Sequence, residues 1–115
     1  MAYIPDRGDL IWIELNPQAG HEQSGHRPFL VISPKAYNEK VGLSLLCPIT
    51  NQVKGYPFEV LIPEGLEVSG VILSDQIKSL DWKVGKAAFA GKLPNEKFVE
   101  VVKKLSTLLD VHVTK

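Results

Sequence analysis

Apolar residues along this chain recur in short runs bounded by Gly, Pro, Asn and Asp, which predict strands at Asp9–Leu15, Phe29–Ser33, Leu43–Ile49, Phe58–Ile62, Val71–Ser74 and Ala87–Gly91. Short strands at such spacing indicate a barrel or a sandwich. Alternation assigns their sides: in Phe58-Glu59-Val60-Leu61-Ile62, residues 58, 60 and 62 share one face and Glu59 points to the other, wetter one. Trp12 shares a strand face with Leu10 and Glu14, opposite Ile11, Ile13 and Leu15. Both faces being largely apolar predicts burial on one and a subunit or ligand surface on the other, with core packing the expected role of Trp12 and base stacking the alternative. Pro48 cannot donate to a ladder and should mark a bulge or the end of pairing, turning Thr50 and its loop outward.

After Leu93-Pro94 the period changes to the helical one. Phe98, Val101, Val102, Leu105, Leu108 and Leu109 form one apolar stripe, an amphipathic helix packed on the sheet. Pro94 suits a first helical turn and Glu96 the positive end of the helix dipole. Shorter helices are expected at Pro34–Asn38 and around Leu80. The predicted architecture is mainly β, a small and partly open antiparallel barrel with one long C-terminal helix. No internal repeat or linker divides it, so residues 1–115 read as a single domain.

Composition narrows the function. Thirteen Lys and Arg balance 13 Asp and Glu, which argues against a protein that coats nucleic acid non-specifically; RNA binding would have to rest on local charge. Lys54, Lys78, Lys83, Lys86 and Lys92 against Asp81 offer such a patch, although alone it reads most simply as a solvated face. The single cysteine, Cys47, excludes an intrachain disulfide and lies in an apolar run, as a buried structural thiol does. No leader-like or membrane-spanning apolar segment is evident, so the expectation is a soluble, cytoplasmic protein with no membrane contact. Trp82, in the connection Leu80-Asp81-Trp82-Lys83, is a candidate for partner contact.

The segment Gly20-His21-Glu22-Gln23-Ser24-Gly25-His26-Arg27-Pro28 packs a carboxylate, an arginine and two imidazoles between turn-forming residues, the groups that phosphate chemistry requires. Lying between two predicted strands, it should be a loop anchored at both ends, with Pro28 restricting its exit to an extended conformation.

This loop belongs to a series: Pro5-Asp6-X-Gly8-Asp9-Leu10-Ile11-Trp12, Glu22-Gln23-X-Gly25-His26-Arg27-Pro28, Pro48-X-Thr50, Lys54-Gly55-Tyr56-Pro57-Phe58-Glu59-Val60 and Asp75-Gln76-Ile77-Lys78-Ser79. In that order and spacing the strings resemble the MazF/PemK family of toxin endoribonucleases, over nearly the whole chain. The resemblance implies an SH3-like barrel of the CcdB/PemK type and a homodimer. It also implies cleavage of single-stranded messenger RNA at short sequences without metal or other cofactor, and restraint by a cognate antitoxin. It assigns catalysis to Glu22, Arg27 and Thr50.

The residue types suit that chemistry. RNA carries its own nucleophile, the ribose 2′-hydroxyl, so the protein need only accept its proton, neutralise the phosphoryl oxygens and protonate the departing 5′ oxygen. The expected products are a 2′,3′-cyclic phosphate and a 5′-hydroxyl. Arg27 can donate two parallel hydrogen bonds to a phosphate, Glu22 can accept the 2′ proton, and Thr50 can add a neutral hydrogen bond. Arginines are poor bases, which makes Arg27 an electrostatic clamp, and His26 is the alternative acid or base because an ordinary imidazole titrates near pH 6.5, about neutral. Gln23, Lys54, Gln76 and Lys78 are the candidates for RNA positioning, amides reading base edges and lysines neutralising phosphates. The antitoxin is expected to carry an acidic, disordered segment that folds into the basic groove.

On residue types alone, Glu22 and Arg27 equally suit a loop salt bridge, and Thr50 an ordinary turn. The loop's ligand spacing does not suit zinc. Two other functions fit a small barrel: a CcdB-like toxin that binds a protein target such as DNA gyrase, and an SH3-like peptide adaptor. The C-terminal Asp110-Val111-His112-Val113-Thr114-Lys115 lacks the tryptophan associated with gyrase poisons. Asn51 after Thr50 and His21 before Glu22 depart from the usual family pattern beside the site, which bears on base specificity more than on chemistry.

Overall fold

The computed structural model describes residues 2–15, 25–109 and 111. The element order is β1 (Asp9–Leu15), β2 (Gly25–Val31), α1 (Lys35–Val41), β3 (Ser44–Thr50), β4 (Glu59–Leu61), β5 (Val71–Leu73), β6 (Lys78–Leu80), β7 (Ala88–Lys92) and α2 (Asn95–Leu109). The seven strands form one antiparallel sheet in the order β4-β5-β3-β2-β1-β7, with β6 also paired to β3. No pairing among the described residues joins β4 to β7, so the barrel stays open, as expected. No helix among them is long and apolar enough to cross a membrane.

β3 is the hub. Leu46 pairs with Val31 of β2 on one side and Lys78 of β6 on the other, while Ile49 and Thr50 pair with Ile72 and Val71 of β5. Pro48 does end one ladder: pairing with β2 stops at Phe29 and Pro48, although β3 itself runs on to Thr50 through its bonds to β5.

Strand alternation divides the interior in two. Leu10, Leu30, Cys47 and Ile49 join Val60, Ile72 and Val101 of α2 in one cluster, with Trp12 packed against it. Ile11, Ile13, Phe29, Val31 and Leu46 form the second with Trp82. Trp12 is therefore core-associated, as expected. Trp82 is not a partner contact: it is buried and donates its indole N–H to the Asn38 carbonyl at 2.9 Å, because the connection that carries it folds back over the second cluster. The same carbonyl receives the Gly42 N–H that closes α1, at a φ of 83° that favours glycine.

Three other expectations change. Around Leu80 there is a short strand, β6, and no helix; three residues that pair along β3 outweigh local helical preference. β2 begins at Gly25 instead of Phe29, because pairing with β1 continues through Trp12↔Pro28 and Ile13↔Arg27 to Leu15↔Gly25. In α2 only Val101 and Leu105 of the predicted stripe are fully buried, with Phe98 partly so, and Val102, Leu108 and Leu109 remain exposed because a single face of α2 meets the sheet.

Candidate active site

The extension of β2 decides where the arginine of the motif stands. Arg27 is paired with Ile13 on β1 and lies on the face of β2 that Phe29 and Val31 occupy further along. The β2–β3 register, Val31↔Leu46, Leu30↔Cys47 and Phe29↔Pro48, continued two residues further, sets Arg27 opposite Thr50, the last residue of β3. A guanidinium and a hydroxyl thus occupy one sheet face at the end of the strand pair, where the interior clusters give way to exposed surface.

His26 falls on the other face. It lies beside Glu14, with Nε2 3.6 Å from Glu14 Oε2, and its ring centroid is 6.3 Å from that of Trp12. Lys86 Nζ completes the group at 3.8 Å from Glu14 Oε1. Adjacent residues of a strand point to opposite sides, so His26 and Arg27 do not converge through β2.

Beside Thr50 a cavity of about 290 Å³ opens, walled by Gln52, Lys54, Tyr56, Glu59 and Gln76 with Leu73 as its apolar lining. Thr50 Oγ1 accepts the Gln52 N–H at 3.1 Å, which leaves its own hydroxyl hydrogen to donate elsewhere. Thr50 is also tightly backed: a Cβ on Gly70 would stand 2.3 Å from the Thr50 carbonyl oxygen, and Gly70 has a φ of 114°. The next residue, Asn51, accepts the Ser69 hydroxyl at 3.3 Å.

The wall formed by residues 52–56 is held by two carboxylates. Glu59 accepts the Lys54 N–H at Oε2 and the Gly55 N–H at Oε1, each at 3.0 Å. Tyr56 donates its hydroxyl to Asp75 Oδ2 at 2.5 Å, and that hydrogen bond raises the phenol above its ordinary ionisation range. The other carboxylate oxygen, Asp75 Oδ1, is buried with no hydrogen-bond partner. Nearby, burial and then the charge of Asp75 push the Cys47 thiol up to about 12, so this cysteine is an inert structural one, as expected.

The structure therefore brings Thr50, Lys54 and Gln76 into one cavity, and the β2–β3 register, extended past its last pair, directs Arg27 toward the same end of β3. Lys78 follows on β6, exposed and paired with Leu46. Glu22 and Gln23 lie outside the described residues. Gln52, Tyr56, Glu59 and Asp75 are the site residues that sequence reasoning passed over. Tyr56 and Glu59 stood in one of the motif strings and Glu59 on the wetter strand face, but their roles depend on contacts that alternation does not specify. Among the described residues no three His, Cys, Asp or Glu side chains group as a metal site.

The chain is 46% identical over 107 residues to the endoribonuclease toxin MazF of Escherichia coli strain K12, covering 93% of this chain and 96% of the relative. It is 33% identical over 108 residues to the endoribonuclease PemK of Escherichia coli, covering 90% of this chain and 81% of the relative. A crystal structure of MazE–MazF from Deinococcus radiodurans superposes with a TM-score of 0.90 at 51% identity, covering 93% of this chain and 96% of that one. Residues 6–109 match the family described as PemK-like, MazF-like toxins of type II toxin–antitoxin systems, and the chain belongs to that family.

Proposed function

We propose that this protein is a sequence-specific endoribonuclease toxin that cuts single-stranded RNA without a metal and is neutralised by a cognate antitoxin. The observation that carries the reading is the polar cavity at Thr50, at the end of β3 toward which the β2 register directs Arg27, in a chain whose relatives are named endoribonucleases. The scissile phosphate sits between these two residues. Arg27 donates paired hydrogen bonds to its non-bridging oxygens, and the Thr50 hydroxyl, already oriented by the Gln52 N–H, donates a third.

The ribose 2′-oxygen attacks the adjacent phosphorus while its proton passes to the Glu22 carboxylate. The bond from phosphorus to the 5′ oxygen breaks, and that oxygen takes up a proton, leaving a 2′,3′-cyclic phosphate and a 5′-hydroxyl. Arg27 acts through charge, since a guanidinium binds developing negative charge far better than it exchanges protons. His26, on the opposite face of β2 with Glu14 and Trp12, is less suited to proton transfer at this phosphate. Lys54, Gln76 and Lys78 hold the flanking strand, together with Gln23.

The protein acts as a homodimer whose two sites face one RNA strand, and the antitoxin competes for the same surface through an acidic segment. The Deinococcus structure of MazE–MazF supports a partner of that kind. The test is incubation of the purified protein with a long single-stranded RNA, followed by mapping of the cut ends. Discrete cuts with 5′-hydroxyl termini are expected, and intact RNA at high protein concentration would refute the reading.

A further inference from the structure

The wall of the cavity beside Thr50 is a strap, residues 51–58, that connects β3 to β4 and carries Gln52 and Lys54. It has no regular secondary structure of its own, so its shape must come from tertiary bonds. Ser69 and Thr50 hold its β3 end at Asn51 and Gln52, and four anchors hold the rest. Glu59 takes the N–H groups of Lys54 and Gly55, and Gly55 has a φ of 78°, which lets the chain turn over that carboxylate. Lys104 of α2 donates to the Pro57 carbonyl at 2.5 Å. Ser74 donates both its N–H and its hydroxyl to the Phe58 carbonyl, at 3.1 and 2.8 Å. Tyr56 reaches across to Asp75.

These anchors differ in what they hold. Glu59, Lys104 and Ser74 grip the backbone, on the β4 side of the strap. Ser74 ties the β4 end of the strap to the turn bearing Gln76, and Tyr56–Asp75 is, among the described residues, the bond between two side chains that joins the strap to that turn nearer its middle. With the Ser74 bonds fixing the strap at Phe58, Tyr56–Asp75 sets how far the stretch that carries Gln52 and Lys54 stands from the wall that carries Gln76. Among the described residues the Asp75 carboxylate has no second hydrogen bond, its buried Oδ1 being without a partner there, so its orientation depends on Tyr56. The Tyr56 ring remains exposed, which marks the bond as a device of the surface and not of the core.

We infer that Tyr56 and Asp75 are positioning residues that latch the strap across the cavity and so determine which RNA base is accepted next to the cleaved phosphate. Gln52 and Gln76 present amide edges from opposite walls, and a base is read by both only while the latch holds their separation. Arg27 is on β2, off the strap, and Thr50 meets the strap through the Gln52 N–H at its β3 end, away from the latch, so the latch bears on base acceptance more than on the chemistry at the phosphate. This inference rests on the endoribonuclease reading given above.

The test compares wild type, Tyr56→Phe, Asp75→Asn and the double variant on a randomised single-stranded RNA pool, and on one oligonucleotide cut well by wild type. Phenylalanine keeps the ring and removes only the donated hydrogen. For Tyr56→Phe, KM should rise about tenfold, with kcat within roughly twofold of wild type and melting temperature unchanged. Cuts should spread to sites differing at one base, and the double variant should be no worse than the poorer single one, as for two halves of one bond. Unchanged KM and cut-site distribution in Tyr56→Phe would overturn the latch. So would a loss confined to kcat, or losses that simply follow a lowered melting temperature. If wild type cut no RNA at all, the reading itself would fail and the latch with it.

Discussion

Gly70 approaches Thr50 so closely that a Cβ there would lie 2.3 Å from the Thr50 carbonyl oxygen, at a φ of 114° that side chains other than hydrogen rarely adopt. The start of β5 thus sets the end of β3, and with it the position of the Thr50 hydroxyl. Gly70→Ala should cost about 2–3 kcal/mol through overlap and backbone strain. It should also reduce cleavage in proportion to the fraction that unfolds. Denaturant titration alongside rate measurements checks both, and wild-type stability in the variant would mean that the contact relaxes freely.

Arg27→Ala should lower the cleavage rate about a hundredfold or more with little change in stability, because its side chain is exposed at the end of the sheet and outside both buried clusters. Glu22→Gln should lose turnover while keeping or tightening RNA binding, since it removes a negative charge near the phosphate. Single-turnover rates and RNA affinity measured together decide the matter. Near-normal turnover in folded Arg27→Ala would remove the clamp from the mechanism, and parallel loss of binding and turnover in Glu22→Gln would point to a structural ion pair.

Placing the nucleophile on the substrate makes a sharper demand. A single 2′-deoxy substitution at the nucleotide whose 3′ phosphate is cut should block cleavage while leaving binding in place, and excess EDTA should leave the rate unchanged. Cleavage of the deoxy strand, or a 5′-phosphate product that disappears with chelator, would show that water attacks instead.

Asp9 is almost fully buried and receives three donors: the Tyr3 hydroxyl, the Asp6 N–H at 3.0 Å and Lys92 Nζ at 2.7 Å. These bonds tie the N-terminal segment to β1 and β7. Asp9→Ala should destabilise the fold by roughly 2–4 kcal/mol, since the half-buried Tyr3 hydroxyl and the Asp6 N–H lose their acceptor. Thermal or denaturant unfolding measures the loss, and a change below about 0.5 kcal/mol, the level of a neutral surface substitution, would show that the network carries little.

Alkaline stability follows from two acids, the buried Cys47 and the half-buried Tyr3. Burial raises Tyr3 above its ordinary 10.0, reinforced by Asp9, and burial pushes Cys47 from its ordinary 9.0 up to about 12. Each keeps its proton in the folded state and releases it more readily when unfolded, so stability is full below pH 9.0 and falls as pH rises toward about 12. In Cys47→Ala the decline should be shallower, whatever the variant's stability at neutral pH. An identical slope in both proteins would remove Cys47 from the effect.

Where local pattern and tertiary demand agree, the chain is legible as text. Alternation in Asp9–Leu15 and around Val60 predicted strands and their inner faces, the switch to helical period after Pro94 predicted α2, and the lone Cys47 in an apolar run read correctly as buried. Each depends on residues a few positions apart, whose relation is set by the 2.0 or 3.6 repeat of the backbone itself. The motif strings likewise contain Thr50, Lys54 and Gln76, which the fold gathers into one cavity.

Other features were decided only by distant pairing. Lys78-Ser79-Leu80 is too short to declare itself a strand and becomes one through its bonds to β3. Trp82 looks exposed in a polar connection until Asn38 and the second cluster close around it. The predicted stripe of α2 is half exposed, because how much of a helix is covered depends on what it meets. The candidate site follows the same rule: Arg27 and Thr50 are separated by α1 and most of β3 along the chain, and the antiparallel pairing of β2 with β3 brings their strand ends to one side of the sheet. Tyr56 found Asp75 by the same means, since sequence specifies which groups are available and long-range packing specifies which of them meet.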